Sequence, residues 1–355
     1  MTMHVAVSGW LLGPPSGANR RLVALLRRVG RHLAANEAVT LLHREGHRPP
    51  QIAGIRMQAV AIPPGPPLRR VLAERAFLAP LLRGLGATVL DHGFLPLPRV
   101  GIATCLLVHD VRGAAGLSLW PRFVARAELR ASCSRATRVV VPSEWTKGEL
   151  ARLAARPDAI VVPNGVEPVP AAPPRLEPRA ALLHVGHLEP RKNLAVLVRA
   201  LARLPNERRP LLQFVGRDAG SGRRLDRLAA RLGVRDDVRR LGEVDDAELA
   251  VLYANAHAVV VPSRHEGFGL CALEGLAHGR PVLASAAAAL PEVLGDAGTL
   301  LPPDDVDAWA TALTSLPPDD EPARERRRAR AAAFSWDVAA QRLVAVWREA
   351  HAAGR

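Results

Sequence analysis

The chain has 355 residues, which is longer than one hydrophobic core usually serves and therefore predicts two domains. Hydrophobic residues make up 48% of it, enough for two cores. No segment approaches the roughly 20 uninterrupted apolar residues that span a bilayer, and the N-terminus enters a strand pattern directly rather than a signal peptide, so we expect a soluble, cytoplasmic protein.

The positive charge is distributed unevenly along the sequence. The net charge is +14, and residues 1–163 hold 22 Lys and Arg against 9 Asp and Glu, whereas the remaining residues hold 26 against 25. Charge concentrated in this way attracts an anionic partner. The three cysteines, Cys105, Cys133 and Cys271, are widely spaced and predict free thiols in a reducing compartment.

The first half alternates apolar strand patterns with helix patterns, which is typical of an α/β protein with parallel sheets. Strands are predicted at residues 4–12, 39–43, 56–62, 88–91, 103–108, 138–141 and 159–162. Amphipathic helix patterns cover residues 18–35 and 68–85. The first helix pattern places Arg21, Arg27, Arg28 and Arg31 away from its apolar face.

Six prolines between Pro163 and Pro178 predict a linker, because proline is excluded from the interior of helices and sheets. Strand patterns then resume at 181–185, 211–215, 238–241, 258–261, 281–284 and 299–301. Residues 317–330 predict an exposed loop leading into a helix, and residues 335–352 predict a final helix. We therefore expect an N-terminal domain at 1–165, a linker at 166–180, a second domain at 181–334 and a C-terminal helix, 335–355, that packs back toward the first domain.

The segment from Pro262 to Pro281 carries the strongest chemical signal. It follows an apolar strand, and Gly267 and Gly269 bracket Phe268 at a predicted turn into a helix. Glycines let a backbone approach a ligand closely, and the amides at a helix N-terminus favour an anion such as a diphosphate. Glu266 precedes the turn and Glu274 follows in the helix, so one carboxylate can face the ligand and the other can reach a pair of vicinal hydroxyls.

A second segment, Leu183 to Leu194, predicts a strand, a glycine turn at Gly186 and a basic pair at a helix start. That pair is Arg191 and Lys192, and Lys192 is one of only two lysines in the chain. Two cations at a helix N-terminus form a diphosphate-binding arrangement. A solvated basic turn is the alternative.

These segments resemble the E-x7-E and G-x-L-x-x-R-K-N motifs of the retaining glycosyltransferases of family four, which adopt the GT-B fold of two facing Rossmann-like domains with a deep interdomain cleft. The resemblance implies that Glu266 contacts the donor sugar and that Glu274 binds the nucleotide ribose. It also implies that Arg191 and Lys192 neutralise the leaving phosphate. The remaining donor-binding positions that it implies are Gly17, Gly186, Gly267, Phe268, Gly269 and Leu270.

The N-terminal half resembles this family less sharply. Gly17 lies in a loop after the first strand, where Pro14 and Pro15 depart from the usual pattern. His109 ends a strand, and the resemblance places it over the donor sugar as a catalytic residue. Ser143 is predicted to be a helix N-cap. Asp305-Val-Asp307 is predicted to cap a helix rather than to bind metal, and no metal or other cofactor is expected.

The resemblance implies a hexosyltransferase that uses a nucleotide sugar, with GDP-mannose as the first choice, a UDP-sugar as the alternative, and an acceptor in polysaccharide assembly. The basic helices of the first domain suggest docking on an anionic membrane face or on a lipid-linked diphosphate acceptor, and a solvated helix face is the alternative. The rival functions are an epimerase or hydrolase of the same fold and a nucleic-acid-binding protein. A single tyrosine and scattered aromatic residues argue against the last.

Overall fold

The computed structural model describes residues 2–10, 12, 17–47, 49–63, 67–111, 119–170 and 179–354. The chain divides into two compact units: unit 1 comprises Met1–Gly165 with Ser335–Arg355, and unit 2 comprises Val166–Phe334. Unit 1 contains 25 Lys and Arg against 11 Asp and Glu, and unit 2 contains 23 of each. The whole net charge of +14 therefore belongs to unit 1.

Unit 1 is built on a parallel sheet of seven described strands in the order β3-β2-β1-β4-β5-β6-β7. The strands are β1 (His4–Ser8), β2 (Ala38–Arg44), β3 (Arg56–Val60), β4 (Val89–His92), β5 (Ala103–Leu107), β6 (Arg138–Val141) and β7 (Ile160–Val161). Its helices, numbered along the chain, are α1 (Gly17–Val29), α2 (Pro67–Gly84), α3 (Leu119–Arg135), α4 (Glu144–Ala154) and α12 (Trp336–Ala353).

Helices cover both faces of this sheet, which is why the central strands are apolar on both sides. Helices α1 and α12 pack against each other, and α12 also lies against β4 and β5. Trp347 of α12 donates its indole N–H to Asp91 at 2.6 Å. At Gly165 the backbone lies against the start of α12: an added Cβ would lie 2.2 Å from the Trp336 nitrogen, so only glycine fits there.

Unit 2 is built on a parallel sheet of six described strands in the order β10-β9-β8-β11-β12-β13. The strands are β8 (Ala181–Val185), β9 (Leu211–Val215), β10 (Val238–Gly242), β11 (Ala258–Val261), β12 (Val282–Ser285) and β13 (Thr299–Leu301). Its helices are α5 (Leu194–Ala202), α6 (Gly222–Arg231), α7 (Asp246–Asn255), α8 (Leu270–Ala277), α9 (Leu290–Leu294), α10 (Val306–Thr314) and α11 (Glu321–Ala332), with 3₁₀ turns at Pro190–Lys192, Asn206–Arg208 and Arg235–Asp237.

Two apolar cores fill the two faces of the second sheet. One contains Leu197, Phe214 and Trp309, and the other contains Val259, Leu273 and Leu290. The sheets of both units are parallel and α/β, which confirms the predicted fold class. No helix in the described ranges has both the length and the apolar composition needed to cross a membrane.

Several local predictions differ from the structure. The helix pattern places Arg21 away from the apolar face, but its side chain is 1% exposed and donates to Asn164, and α1 packs against α12. The region 317–330 is loop only as far as Asp320, which caps α11 by accepting from the Ala323 amide, and Pro322 is tolerated in the first turn. The strand at residues 4–12 ends at Ser8. The loop 13–16 and linker residues 171–178 lie outside the described residues.

Candidate functional site

The strand order of unit 2 creates a crevice at one place. The chain runs outward from β8 to β9 and β10 and then returns to β11 on the other side of β8. Loops that follow such neighbouring strands diverge, and ligands of open α/β sheets bind between them at the carboxyl ends of the strands. Gly186 follows β8, and Ser263 to Glu266 follow β11, so both predicted segments meet at this crevice.

The basic pair sits on a short 3₁₀ turn, Pro190–Lys192, with Asn193 in the left-handed region at φ 53°. The Arg264 amide donates to the Arg191 carbonyl at 2.9 Å, which joins this turn to the loop after β11. Asn193 donates its side-chain amide to the Pro303 carbonyl at 2.7 Å. The backbone of the pair is therefore held from two directions.

The side chains of Arg191, Lys192 and Glu266 form one ion-pair network. Lys192 Nζ lies 2.6 Å from Glu266 Oε1, and Arg191 Nη1 lies 3.2 Å from Glu266 Oε2. Ser263 Oγ also donates to Glu266 Oε1, at 2.8 Å, and Glu189 pairs with Arg191 Nη2 at 2.8 Å. Both carboxylate oxygens of Glu266 therefore lie against cations.

The electrostatics of Glu266 follow from these contacts. Burial alone would raise its pKa, but the Lys192 ammonium and the Arg191 guanidinium outweigh burial and lower the pKa to about 2. Glu266 is therefore ionised across the physiological range.

Gly186 shapes the space beside Lys192. Its φ is +148°, and a Cβ at this position would lie 3.3 Å from Lys192 Nζ and 3.5 Å from His184 Nε2. His184 is fully buried and its Nδ1 pairs with the Val260 carbonyl at 2.9 Å, while Nε2 has no hydrogen-bond partner among the described residues. Burial, with Lys192 nearby, lowers the pKa of His184 to about 4, so the imidazole is neutral.

The turn into α8 requires its second glycine. Gly269 is the N-cap with φ +102°, and an added Cβ would lie 2.7 Å from Leu290 Cδ2. Leu270 begins the helix, so its first amides open at the crevice edge, where a helix N-terminus favours an anion. Gly267 is half-buried in the same turn. Phe268 is buried and packs edge-on against Phe334 at 5.6 Å, so its side chain serves the core.

Glu274 is the fifth residue of α8, and its hydrogen-bond partner is not one of the two cations that pair with Glu266. The hydroxyl of Tyr253 donates to Glu274 Oε2 at 2.7 Å. Cys271, between the two glutamates along the chain, has its pKa raised to about 12 by burial, with Lys192 lowering it and Glu266 and Glu274 raising it. The charges of Lys192, Glu266 and Glu274 therefore all influence the Cys271 thiol at the start of α8.

The two candidates in unit 1 occupy the corresponding edge of the first sheet. His109 follows β5 and is half-buried, and a Cβ on Gly93 would lie 3.9 Å from its Nε2. His109 and Gly93 line a mainly apolar cavity together with Asn19 and Asp91. Gly17 is the exposed first residue of α1. Gly17 and His109 therefore belong to unit 1, and the nine other predicted site residues belong to unit 2.

Three contributors were not predicted from the sequence. Tyr253 of α7 and Ser263, in the loop after β11, bond to predicted glutamates, and His184 of β8 lies beside Gly186. Only Tyr253 carried a signal, because it is the single tyrosine of the chain. Ser143 and Asp305 cap helices as predicted. Within the described ranges, no three His, Cys, Asp or Glu side chains come close enough to hold a metal ion.

Comparisons with known proteins agree with this geometry. A family model described as "Glycosyl transferases group 1" matches residues 179–319, and one described as "Glycosyltransferase Family 4" matches residues 15–169. A solved sucrose-phosphate synthase from Thermosynechococcus elongatus is similar with a TM-score of 0.80 and 22% identity, over 99% of this chain and 100% of that one. At that identity the likeness shows the fold, which is GT-B.

Two relatives are similar in sequence over a shorter range. The O-antigen chain mannosyltransferase B of Escherichia coli is 36% identical over 229 residues, which cover 59% of this chain and 60% of that protein. A D-inositol 3-phosphate glycosyltransferase of Saccharomonospora viridis is 37% identical over 248 residues, covering 62% and 58%. The chain thus spans less than two thirds of the length of these relatives. The two family models match different halves of the chain, and together they show that it belongs to the family 4 glycosyltransferases.

Proposed function

We propose that the chain is a retaining hexosyltransferase that moves a hexose from a nucleotide diphosphate sugar to a glycan or lipid-linked acceptor in cell-surface polysaccharide assembly. The observation that carries the proposal is the group formed by Arg191, Lys192 and Glu266 at the carboxyl ends of β8 and β11, beside the N-terminus of α8. Two held cations and a helix N-terminus at one crevice suit a pyrophosphate.

The proposed chemistry uses charge rather than a metal ion. Breaking the sugar–phosphate bond leaves positive charge on the sugar ring and negative charge on the departing diphosphate. Arg191, Lys192 and the first amides of α8, at Gly269 and Leu270, stabilise that negative charge. Glu274 holds the ribose, and His109 is the proposed catalytic residue that acts on the donor sugar. Glu266 positions the sugar and is not assigned as a nucleophile.

Glu266 changes partners in this scheme. It pairs with Lys192 and Arg191, and Glu189 also pairs with Arg191, so two carboxylates balance the two cations. In the proposed scheme the oxygens of a bound diphosphate take the place of the Glu266 carboxylate against both cations, and Glu266 is released to accept hydrogen bonds from sugar hydroxyls. The exchange thereby makes the acid available to the sugar of the bound donor.

Mannose from GDP-mannose is the proposed donor sugar, with a UDP-sugar as the alternative. The support is the mannosyltransferase relative of Escherichia coli, and the D-inositol 3-phosphate glycosyltransferase relative points to other acceptors within the same family. A thermal-shift screen of UDP, GDP and their common sugars tests the donor, because a ligand at a hundred times its dissociation constant stabilises by about 2.7 kcal/mol. No stabilisation by any nucleotide would contradict the proposal.

Transfer and its stereochemistry need a second measurement. Product formation with the donor and candidate acceptors, followed by NMR of the new anomeric centre, should show transfer with the donor configuration kept. Free sugar or an isomerised nucleotide sugar formed from donor alone would instead identify the hydrolase or epimerase alternative.

We also propose that unit 1 contacts an anionic membrane surface. Unit 1 holds the whole net charge, and exposed apolar side chains stand near the N-terminal ends of two of its helices: Leu72 of α2 is 55% exposed and Phe123 of α3 is 67% exposed. Exposed Arg69 and Arg75 of α2 flank Leu72. Apolar and basic side chains together favour a membrane interface.

The basic residues in and after α1 have different surroundings from those of Arg69 and Arg75. Arg21 of α1 is buried, and Arg31 pairs with Asp337 of α12 at 3.5 Å. Charge reversal of Arg69 and Arg75 should therefore weaken co-sedimentation with vesicles containing anionic lipid, and charge reversal of exposed Arg27 should change it less. Equal binding by all variants would remove the membrane proposal.

A further inference from the structure

We propose that Tyr253 is a positioning residue that fixes the carboxylate of Glu274 for recognition of the nucleotide ribose. This inference rests on the proposed function of Glu274 and adds the residue that acts through it. The relevant contact is the hydrogen bond from the Tyr253 hydroxyl to Glu274 Oε2, which is 2.7 Å long.

The hydroxyl of Tyr253 has no packing reason to be present. Tyr253 is buried in the core of unit 2 among Leu249, Phe268 and Leu273. A phenylalanine would fill the same space without burying a polar atom, whereas a buried hydroxyl is costly unless it is bonded. This hydroxyl is bonded to a carboxylate, and bonds of that type are among the strong hydrogen bonds of proteins.

The ring of Tyr253 is itself held in place. It stacks on the ring of His278, with centroids 5.2 Å apart and an interplanar angle of 18°. Burial lowers the pKa of His278 to about 4, so the stacked imidazole is neutral at pH 7. His278 and Glu274 lie four residues apart at the end of α8 and so face the same side. The tyrosine ring therefore stacks on His278, and its hydroxyl donates to Glu274.

The consequence concerns specificity. A glutamate side chain has three rotatable bonds, and one held oxygen restricts the orientation of the whole carboxylate. A carboxylate that is held before the ligand arrives recognises a vicinal diol at a lower entropic cost. Tyr253 therefore contributes to the affinity for the ribose hydroxyls without touching the ligand.

The test is a thermodynamic cycle that combines the Tyr253→Phe substitution with removal of a ribose hydroxyl from the ligand. Binding of UDP and GDP, and of their 2′-deoxy and 3′-deoxy forms, is measured by calorimetry for wild-type protein and variant. We expect the wild type to lose about tenfold in affinity when a ribose hydroxyl is removed, which is about 1.4 kcal/mol. Tyr253→Phe should lose twofold or less, because the unheld carboxylate no longer favours the hydroxyl.

Two further measurements separate positioning from a structural role. With the nucleotide sugar, Tyr253→Phe should raise KM about tenfold and leave kcat within about twofold. Its melting temperature should stay close to that of Thr314→Val, a control that removes a hydroxyl bonded only within α10, to the Thr311 carbonyl at 3.0 Å.

The outcomes distinguish this inference from the proposed function. If Tyr253→Phe discriminates between ribose and deoxyribose as the wild type does, the inference is wrong and the proposed function stands. If the wild type binds the nucleotides without discrimination, the role of Glu274 is wrong and the inference falls with it. If the wild type binds neither nucleotide, the proposed function itself fails.

Discussion

The two units distribute charge in opposite ways. Unit 2 has no net charge, yet it holds Arg191 and Lys192 in fixed positions against Glu266. Unit 1 carries the whole net charge of +14. The number of charges in a domain predicts long-range attraction, but a binding site depends on cations whose positions are fixed. The balanced unit is therefore the one with the candidate anion site.

The buried acids show the same contrast. Burial raises the pKa of Glu74 to about 7 and that of Asp91 to about 6 in unit 1. In unit 2 the same effect on Glu266 is overcome by Lys192 at 2.6 Å and Arg191 at 3.2 Å. The nearest cation of Glu74 is Arg70 at 3.6 Å. The pKa of Glu266 is lowered and that of Glu74 is raised because Glu266 has two cations in closer contact.

Replacing Lys192 should give the largest effect. Lys192→Met removes a cation from the diphosphate site, and we expect the rate of sugar transfer to fall about 10² to 10³-fold. It also leaves Glu266 without its nearest buried partner, which typically costs about 3–5 kcal/mol of stability. Chemical denaturation and a transfer assay measure the two effects.

A double variant separates these two effects. Lys192→Met with Glu266→Gln has no unpaired buried charge, so it should recover much of the stability and none of the transfer rate. Full recovery of both would contradict the assignment of Lys192 to the diphosphate.

The glycine at the start of α8 should give the next largest effect. Gly269→Ala places a Cβ 2.7 Å from Leu290 at φ +102°, and we expect a loss of about 2–3 kcal/mol in the free energy of unfolding. Gly148→Ala in α4 of unit 1 is the matched control, since nothing lies within 4 Å of its added Cβ. The control should be neutral or stabilising, by up to about 1 kcal/mol.

Replacing Glu266 should raise affinity for one ligand. Glu266→Gln frees Lys192 and Arg191 from their internal anion, so we expect nucleoside diphosphate without sugar to bind about tenfold more tightly, equivalent to about 1.4 kcal/mol. The rate of sugar transfer should fall in the same variant, because the hydroxyls of the donor sugar lose the carboxylate that accepts their hydrogen bonds. Weaker binding of the bare diphosphate, measured by calorimetry, would contradict the exchange of partners.

The carboxyl groups of the two units should contribute to the pH dependence with opposite sign, and this is the smallest expected effect. Glu74 and Asp91 have folded pKa values above their ordinary 4.5 and 3.8, so these two groups hold more protons in the folded state and their stabilising contribution is lost as pH rises from about 4 to 7. Buried His92, whose pKa is lowered to about 3, contributes in the opposite direction. Glu266 has a lowered pKa, so its contribution is complete above pH 4.5 and is lost as pH falls toward 2.

Hydrogen exchange followed by mass spectrometry resolves this difference because it reports on each unit separately. Between pH 4 and 7, protection should rise in unit 2, because buried His184 and His278 have pKa values of about 4, below the ordinary 6.5, and folding favours their neutral forms. In unit 1, Glu74→Gln should make the slope more positive, because it removes a group whose contribution falls as pH rises, and an unchanged slope would show that other groups set it.

Much of this organisation is predictable from sequence because it is local. Parallel strands are buried on both faces and so appear as short apolar runs, such as 181–185 and 258–261, which match β8 and β11. The fold class and the family follow from such runs and from two motifs. The ends of elements were less predictable, since β1 stops at Ser8 although apolar residues continue.

Contacts between distant residues could not be predicted. The burial of Arg21 depends on α12, more than 300 residues along the chain. The pairing of Tyr253 with Glu274 depends on how α7 packs, and the pairing of His184 Nδ1 with the Val260 carbonyl depends on the register of β8 with β11. The motifs located the charged residues, and only tertiary packing defined which of them pair.

A structure of the protein with a bound nucleoside diphosphate tests the role of unit 2 most directly. We predict the pyrophosphate within hydrogen-bond distance of Lys192 Nζ and the Arg191 guanidinium, at the N-terminus of α8, with Glu266 separated from both cations. A nucleotide bound elsewhere, with the Lys192–Glu266 pair still intact at 2.6 Å, would contradict it.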